Sequence, residues 1–311
     1  MYYVIASGKK KSKISTKIID QVKSILKNKN IEYKLFISNA PEEAMKLTKK
    51  ACLKEDCQAI IAVGGDGTFY EVLNGLDTRI PLGFIPAGTG NDFVRSLGIG
   101  IDVEENINNI LNNEPRYLDY LKIGGYRCFN MVGTGFDIQL LKKEQKIRKR
   151  IRSRLSYNIA LLQTILFAKF YQVTYRIDDG EPHTQKFFMV DCCNGRWGGG
   201  MMPLCIDADP HDGYIDFVVI DTFNKFKLLP LLLKFKKGQL DKTHYVHRFK
   251  CKKVELKLEP NLETNLDGEI LSLFPNKVEI VHNELKYFPS SKKPIDPLTL
   301  LNNRKLRKNT L

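Results

Sequence analysis

The first 120 residues alternate between short apolar runs and longer segments whose apolar residues recur with helical spacing. The apolar runs predict strands at Tyr2–Ala6, Glu32–Ile37, Ala59–Val63 and Leu82–Ile85. The segments between and after them predict helices at Ile14–Lys29, Pro41–Leu53, Phe69–Leu76 and Asn91–Leu97. Because Ala59–Val63 is apolar at every position, it is typical of a strand buried on both faces. Repeated units of this kind predict an α/β domain with an open, mostly parallel sheet and helices on both faces.

The pattern changes after residue 122 to short alternating segments separated by turn residues. These segments predict strands at Gln172–Ile177, Phe187–Asp191, Ile215–Ile220, Val254–Leu258 and Lys277–Val281. One helical segment, Ser156 to Tyr171, interrupts them. We therefore predict an all-β, sandwich-like domain over 123–283. It follows an α/β domain over 1–122, which the C-terminal segment 284–311 is expected to complete.

Composition indicates a globular protein, with 43% hydrophobic and 27% charged residues among 311. The longest uncharged stretch, Leu155–Ala168, is shorter than the roughly 20 residues that a membrane-spanning helix needs. The opening residues lack a basic leader followed by a long apolar segment, so no secretory signal is expected. Seven cysteines without Cys-x-x-Cys spacing favour free thiols in a reducing cytoplasm. A metal role for the close pair His244 and His247 is disfavoured, since no cysteine lies nearby.

The net charge of +14 indicates a polyanionic partner. Eight of the thirteen residues in Lys142–Arg154 are lysine or arginine, and the uncharged Leu155–Ala168 follows directly. We expect this region to contact an anionic membrane surface, although Leu155–Ala168 fits a packed helix equally well. No nucleic-acid-binding signature accompanies the basic cluster, so nucleic acid is not expected as a partner. The expected location is the cytoplasm, peripherally at the inner face of the cell membrane. A homodimer is a possible assembly.

Gly64-Gly65-Asp66-Gly67-Thr68 lies between a predicted strand and a predicted helix. Glycines let backbone N–H groups approach an anion, and a helix N-terminus adds a positive dipole end, so this loop predicts a phosphate site. Asp66 would repel phosphate directly, but it fits a contact to phosphate-bound Mg²⁺. The alternative is a glycine-rich turn in which Asp66 or Thr68 caps the helix.

A second glycine-rich loop, Pro86–Phe93, also joins a predicted strand to a predicted helix. A third strand end, Ala6–Lys9, contributes a hydroxyl, a glycine and a cation. Because ligands of open α/β sheets bind at the carboxyl ends of the strands, all three loops are expected at one site.

These motifs resemble the diacylglycerol kinase catalytic-domain family, which includes bacterial lipid kinases, sphingosine kinases and ceramide kinases. Further similarities extend over nearly the whole chain, at Asn130–Asp137, Gly198–Pro203, Ala208–Tyr214 and Asp267–Glu269. The resemblance implies an α/β ATP-binding domain and a β-sandwich domain that carries a catalytic glutamate and a structural metal site. It also implies an ATP- and Mg²⁺-dependent lipid kinase, with diacylglycerol as the favoured acceptor and phosphatidic acid as product.

The resemblance assigns roles to individual positions. The implied nucleotide-binding residues are Ser7, Gly8, Lys9, Ser38, Gly64, Gly65, Asp66, Gly67, Thr68, Glu71, Gly88, Thr89 and Asn91. Asp66, Asp92 and Asp119 match an acidic network that organises Mg²⁺ and ATP. Asp209, Asp212 and Tyr214 match the structural Mg²⁺ site, in which the outer two can contribute backbone carbonyls. Glu269 matches the general base. Ile5-Ala6 replaces the Asn-Pro that the family usually has before Ser7.

Several alternatives stay open. Asp-Gly-Glu occurs twice, and a turn between two strands accounts fully for Asp179–Glu181. A hairpin turn also fits Asp267–Glu269, but its position late in the β domain resembles that of the catalytic glutamate in the lipid kinases, and this resemblance favours Glu269 as the base. NAD kinases and phosphofructokinase-like sugar kinases share the Gly-Gly-Asp-Gly loop, but the second loop and the 209–214 segment argue against both. A non-catalytic nucleic-acid-binding protein is the alternative of another class. Diacylglycerol, phosphatidylglycerol, a sphingoid base or another lipid alcohol all fit as acceptor.

Overall fold

The computed structural model describes residues 1–8, 13–148, 159–164, 167–199, 202–224, 243–259, 262–272 and 277–294, with isolated positions between 227 and 239 and at 296 and 299. Lys9 lies outside the described residues, as do 149–154 of the basic cluster and 155–158 and 165–166 of the uncharged stretch. Most of the C-terminal tail after 294 also lies outside them.

The N-terminal part is an α/β unit whose strands are parallel and ordered β4-β3-β1-β2. The strands are β1 (Tyr2–Ser7), β2 (Tyr33–Ser38), β3 (Ala59–Gly64) and β4 (Leu82–Pro86). The helices are α1 (Lys13–Asn28), α2 (Glu43–Cys52), α3 (Asp66–Gly75), α4 (Asp92–Ser96) and α5 (Val103–Asn112). Successive side chains of each strand pack on opposite faces of the sheet. Ile5 and Ile60 meet the layer that contains α2 and α3, and Val4 and Ile61 meet the layer of α1 and α5.

Helix α5 was not expected from the sequence, although it carries a recognisable start. The Asp102 side chain accepts a hydrogen bond from the backbone N–H of Glu105, three residues on. An N-cap aspartate followed at this spacing by glutamate is a known helix-start pattern. The run of asparagines at 106, 108, 109, 112 and 113 obscures it, because asparagine has weak helix propensity.

The remaining elements form antiparallel β-structure with one long helix. They are β5 (Arg116–Ile123), β6 (Tyr126–Cys128), β7 (Met131–Gly135), α6 (Phe136–Arg148), β8 (Tyr171–Ile177), β9 (His183–Cys193), β10 (Trp197–Gly198), β11 (Met202–Pro203), β12 (Ile215–Asp221), β13 (Val246–Cys251), β14 (Lys253–Leu258), β15 (Thr264–Leu266), β16 (Glu269–Leu271) and β17 (Lys277–Tyr287). The predicted helix from Ser156 to Tyr171 is too long, because residues 159–164 are helical and Tyr171 already begins β8.

In the described part of the chain, a mixed sheet of 15 strands runs in the order β16-β15-β7-β9-β8-β14-β17-β4-β3-β1-β2, with β5, β6, β12 and β13 paired beside this path. Strands β10 and β11 form a separate two-stranded sheet. Strand β17 joins the two halves. It pairs antiparallel with β14 near Val278 and parallel with β4 at Tyr287. It also pairs antiparallel with β5, with an irregularity in that pairing between Val281 and Leu285. The predicted fold class, an α/β unit followed by a β-sandwich-like unit, is confirmed. The domain boundaries at 122 and 283 stay predictions.

None of the helices in the described part of the chain combines the length and apolarity needed to cross a membrane.

Candidate active site

The two glycine-rich loops press against each other, backbone to backbone. A Cβ on Gly88 would lie 2.6 Å from the Cα of Gly65, and a Cβ on Gly65 would lie 3.0 Å from the Cα of Gly88. The Ala87 N–H also donates to the Gly64 carbonyl at 2.6 Å. A side chain at Gly88 would collide with the main chain of Gly65, so glycine is required there for the loops to meet, whereas at Gly65 the contact would only be tight. The structure therefore brings together the two loops that the sequence placed at the ends of β3 and β4.

Asp66 stands at the first turn of α3, beside the second loop. Its Oδ1 accepts from the Phe93 N–H at 3.4 Å, and its Oδ2 lies 2.9 Å from where a Cβ on Gly90 would be. Burial and the neighbouring Asp92 charge raise the pKa of Asp66 to about 6, against the backbone N–H groups that lower it. Two carboxyl groups this close together are suited to share a divalent cation.

Asn91 and Thr68 hold the loops in shape. Asn91 has φ +53°, accepts from the Gly88 N–H at 3.2 Å and donates to the Gly88 carbonyl at 3.0 Å. Thr68 packs over Gly64, because a Cβ on Gly64 would lie 2.4 Å from the Thr68 Oγ1. Asn91 thus stabilises the loop rather than presenting a free amide, while Gly88 and Thr89 are exposed.

Asp267 and Gly268 form the turn of the β15–β16 hairpin. Both have positive φ, +52° and +97°, and Leu266 pairs directly with Glu269 across the turn. This is the backbone geometry that an Asp-Gly pair favours in a two-residue hairpin. The Asp267 carboxylate accepts from the N–H groups of Phe129, Asn130 and Met131 at 2.7, 3.0 and 2.9 Å. Burial raises the pKa of Asp267 to about 7 against those three donors.

Docking of this turn brings Glu269 to the first glycine-rich loop. The Glu269 Oε1 lies 3.5 Å from where a Cβ on Gly67 would be, and the side chain is exposed. Glu181, in the other Asp-Gly-Glu, is exposed in the connection between β8 and β9. The positions of the two glutamates agree with the expectation from the sequence. The general-base role of Glu269 stays a prediction.

At the end of β1, several of the groups expected to contact the nucleotide are already bonded within the protein. Ser7 and Ser38 are register partners, and the Gly8 N–H donates to the Ser38 carbonyl at 2.7 Å. The Ser38 side chain is 1% exposed, and its hydroxyl donates to the Ala40 carbonyl at 3.3 Å. Glu71 accepts from the Ala44 N–H at 3.1 Å and so braces α3 against α2. A nucleotide contact by Ser38 or Glu71 would compete with these bonds.

Asp119 lies in different surroundings from those that the resemblance implied. Its fully buried carboxylate accepts from the Gly213 N–H at 2.8 Å and bonds His282 Nδ1 at 2.7 Å. Burial raises the pKa of Asp119, while Gly213 and His282 lower it. Neither glycine-rich loop supplies a partner among the described residues. Asp119 thus anchors the 209–214 loop and does not join Asp66 and Asp92, because β5 carries it toward that loop.

The carboxylates of the 209–214 loop bond other protein groups in this arrangement, and the structural Mg²⁺ site, which would also draw on backbone carbonyls, stays a prediction. The Asp212 carboxylate pairs with the Lys250 ammonium and accepts from the Tyr214 N–H at 3.0 Å. Asp209 bonds His211 Nδ1 at 3.0 Å. In the described part of the chain no three carboxylate, histidine or cysteine side chains are grouped as metal ligands. Lys250, from β13, thus neutralises the charge of Asp212.

A cleft of about 380 Å³ opens beside the two loops, between α6 and the strands β7 and β9. Its apolar lining includes Phe69, Phe93, Phe129, Phe136, Leu140 and Leu204. Its acidic lining comprises Asp66, Asp92, Asp137, Asp191, Asp267 and Glu144. Sequence reasoning assigned no role to Asp137 or Asp191. A charged residue inside the apolar run of β9 was the signal that could have found Asp191.

Both halves of the chain match known families. Residues 2–123 match the diacylglycerol kinase catalytic domain, and residues 130–288 match the YegS C-terminal NAD kinase beta sandwich-like domain. The protein of Staphylococcus haemolyticus named "Putative lipid kinase SH2167" is 28% identical over 237 residues, 74% of this chain and 76% of that protein.

Solved structures share the fold. A crystal structure of a diacylglycerol kinase from Bacillus anthracis has a TM-score of 0.73 at 23% identity, covering 93% of this chain and 97% of that one. An NAD kinase from Archaeoglobus fulgidus in complex with ATP has a TM-score of 0.52 at 14% identity, with both chains fully covered. With both domain matches in the expected order and the loops assembled at one edge of the sheet, the predicted family is confirmed: the chain joins a diacylglycerol kinase catalytic domain to a C-terminal domain of the YegS NAD kinase beta sandwich-like family.

Proposed function

We propose that the protein is a lipid kinase that transfers the γ-phosphoryl group of ATP to a hydroxyl of a membrane lipid, with diacylglycerol as the favoured acceptor. The observation that carries the proposal is the position of the largely apolar cleft. Asp66 and Asp92 of the phosphate-loop region and Asp267 of the hairpin turn line the same cleft as the phenylalanines. An acceptor held there would place an apolar body in the cleft and a polar end at the loops.

Phosphoryl transfer requires chiefly positioning and neutralisation of charge. The backbone N–H groups of the two loops and the N-terminus of α3 would hold the phosphates of ATP. Mg²⁺ would arrive with the nucleotide as part of the substrate and neutralise phosphate charge, and Asp66 and Asp92 are the carboxylates placed to contact it. Glu269 would accept the proton of the lipid hydroxyl while the hydroxyl oxygen bonds to the γ-phosphorus. The bond from that phosphorus to the bridging oxygen breaks, and ADP leaves.

A peripheral position at the inner face of the cell membrane is part of the proposal. Leu162 and Phe167 are 57% and 68% exposed, large fractions for apolar side chains. The Lys143 ammonium lies 5.4 Å from the Phe167 ring centroid. Apolar side chains beside basic residues are the combination that binds an anionic bilayer surface. We propose no nucleic-acid partner, and a homodimer stays untested.

The proposed function is tested by incubating the protein with labelled ATP and a total lipid extract in mixed micelles. The labelled product is then identified. We expect a phosphorylated lipid, and phosphatidic acid when diacylglycerol is the acceptor. The second candidate function is a kinase of a soluble substrate such as NAD, which the fold shared with the NAD kinase favours. Parallel reactions with NAD and with soluble sugars test this candidate. Labelled NADP or sugar phosphate with no labelled lipid would overturn the lipid-kinase proposal.

A further inference from the structure

Two aspartates line the cleft without a role in the proposed phosphoryl transfer. Asp191, in β9, is 0% exposed, and neither of its carboxyl oxygens has a hydrogen-bond partner among the described residues. Asp137, in the first turn of α6, lies beside it. Its Oδ2 accepts from the Asn265 Nδ2 at 2.9 Å, and its Oδ1 is without a partner in the same described set. Buried carboxyl groups with unused bonding capacity are rare, because their desolvation is costly.

The sheet is built to accommodate these groups. Gly133 of β7 pairs directly with Asp191 on one side and with Asn265 on the other. A Cβ on Gly133 would lie 1.8 Å from the Asp191 Oδ1 and 3.2 Å from the Asp137 Oδ2. Both carboxyl groups therefore occupy the space above a glycine that has no side chain. Directly opposed residues share a face of the sheet, so Asp191 and Asn265 project together toward α6 and the cleft.

The surroundings favour the neutral form of Asp191. Burial raises the pKa of Asp191 well above its usual range, and Asp137 and the Cys205 thiol, the neighbouring titratable groups, raise it further. Burial likewise raises the pKa of Asp137, opposed by the Asn265 hydrogen bond. A buried carboxyl group beside another acid retains its proton. A neutral carboxyl group has an O–H donor as well as an acceptor.

We propose that the enclosed Asp191 carboxyl group donates a hydrogen bond to an acyl carbonyl of the acceptor lipid, so that acylated lipid alcohols are preferred over their ether analogues. The inference rests on the proposed lipid-kinase function and deepens it. Phe136, Leu140 and Met189 surround the aspartates, so the bound segment must be largely apolar. In the apolar part of a membrane lipid, the strong acceptors near a free hydroxyl are ester or amide carbonyls. An ether oxygen is a weaker acceptor.

The test compares 1,2-diacylglycerol with the matched 1,2-dialkylglycerol, which lacks both carbonyls, in mixed micelles. For the wild-type protein we expect kcat/KM to favour the ester by roughly 3–10-fold, the effect of one neutral hydrogen bond. Asp191→Asn retains a neutral N–H donor and should keep most of the preference. Asp191→Leu should abolish it by raising KM for the ester while leaving the ether reaction nearly unchanged. Asp216→Leu, a buried aspartate of β12 outside the cleft lining, is the matched control and should leave the ratio unaltered.

The outcomes separate this inference from the proposed function. If the wild-type protein phosphorylates ester and ether equally, or if Asp191→Leu lowers both reactions alike, the carbonyl contact is wrong while the lipid-kinase function stands. A strong preference for a sphingoid base that Asp191→Leu removes would also overturn it, because the site would then bind an ammonium. If no lipid alcohol is phosphorylated, the proposed function itself fails. If the leucine variant does not fold, the ester-to-ether ratio of kcat/KM is still measured for the wild-type protein and for Asp191→Asn.

Discussion

Asp66 combines an unfavourable electrostatic position with a central place in the site. It lies between two glycine-rich loops that have little side-chain bulk, and it shares its surroundings with Asp92. Such a carboxylate is retained in a fold when a ligand of opposite charge uses it, as Mg²⁺ bound to ATP would.

Removal of this carboxylate should abolish the reaction without unfolding the protein. We expect Asp66→Ala to lower kcat by roughly 10³-fold or more, as for loss of a group that neutralises charge in the transition state. The measurement is kinase activity, with circular dichroism and a melting curve as the check on folding. Near-normal turnover in a folded variant would remove Asp66 from the mechanism.

The same residue should give a defined pH dependence of stability. Because the folded-state pKa of Asp66 is raised to about 6 from 3.8, the native state binds more protons than the unfolded state between those values. Stability from this group is therefore present at low pH and is lost as pH rises through about 6. Without nucleotide or Mg²⁺, Asp66→Asn should raise the free energy of unfolding at pH 7.5 by roughly 1–2 kcal/mol. Urea melts at pH 4.5 and 7.5 measure the free energy of unfolding of both proteins. An Asp66→Asn variant that is less stable than wild type at pH 7.5 would contradict the prediction.

The two Asp-Gly-Glu sequences allow a matched comparison of glutamates. Glu269 lies at the Gly67 loop, whereas Glu181 is exposed between β8 and β9. We expect Glu269→Gln to lower kcat by roughly 10²–10⁴-fold, because the lipid hydroxyl would lose its proton acceptor. ATP binding, measured by calorimetry, should change little. Glu181→Gln is the control and should retain wild-type turnover, and equal losses in the two variants would discard Glu269 as the base.

At the scale of elements, the strand–loop–helix units of β3–α3 and β4–α4 act as a pair. Their loops meet at Gly65 and Gly88, so a shift of one loop displaces the other. The hairpin β15–β16 is a third rigid element, fixed by the three hydrogen bonds to Asp267. A two-residue turn sets the register that points Glu269 to the loop, and a slip by one residue would turn it to the other face.

A methyl group at the loop contact should damage the site more than it damages the fold. Gly88→Ala places a Cβ 2.6 Å from the Gly65 Cα, which flexible side chains cannot relieve. We expect a loss of roughly 1–3 kcal/mol in stability and about 10²-fold in kcat/KM for ATP, since the phosphate groups would be misplaced. Gly100→Ala is the control, because nothing lies within 4 Å of its Cβ position. Similar kinetics for both variants would show that the loop contact is dispensable.

At the scale of the whole molecule, the net charge of +14 and the exposed Leu162 and Phe167 suggest a membrane-facing side. Activity on vesicles that contain diacylglycerol should rise with the phosphatidylglycerol content and fall with added salt, because salt screens the Lys142–Arg154 cluster. The double variant Lys142→Gln and Lys146→Gln should weaken vesicle binding by about fivefold per lysine. Lys49→Gln with Lys50→Gln, exposed lysines of α2, is the matched control. Salt-independent activity on anionic vesicles would contradict the prediction.

The local part of this molecule could be read from the sequence. Strands β1 to β4 follow from apolar runs, and the loops at 64–68 and 86–92 follow from glycines between a strand and a helix. The Asp267–Gly268 turn follows from the preference of that pair for positive φ. Helix α6 was missed because its basic residues mask its apolar positions, and α5 because asparagines mask its start. These elements depend on neighbours within a few residues, which is why pattern and composition bear on them.

By itself, the sequence determined the alternation of β1 to β4 with α1 to α4, the change to β-structure after them and the glycine-rich loops, since backbone preference and hydrophobic periodicity act over short distances. Only the tertiary structure decided which distant residues meet. It places Glu269 beside Gly67, turns Asp119 toward Gly213 and His282, and joins Asp212 to Lys250. It also sets Asp137 and Asp191 together above Gly133. The reason is physical: these contacts depend on strand pairing and register between segments far apart in the chain, which no local pattern encodes.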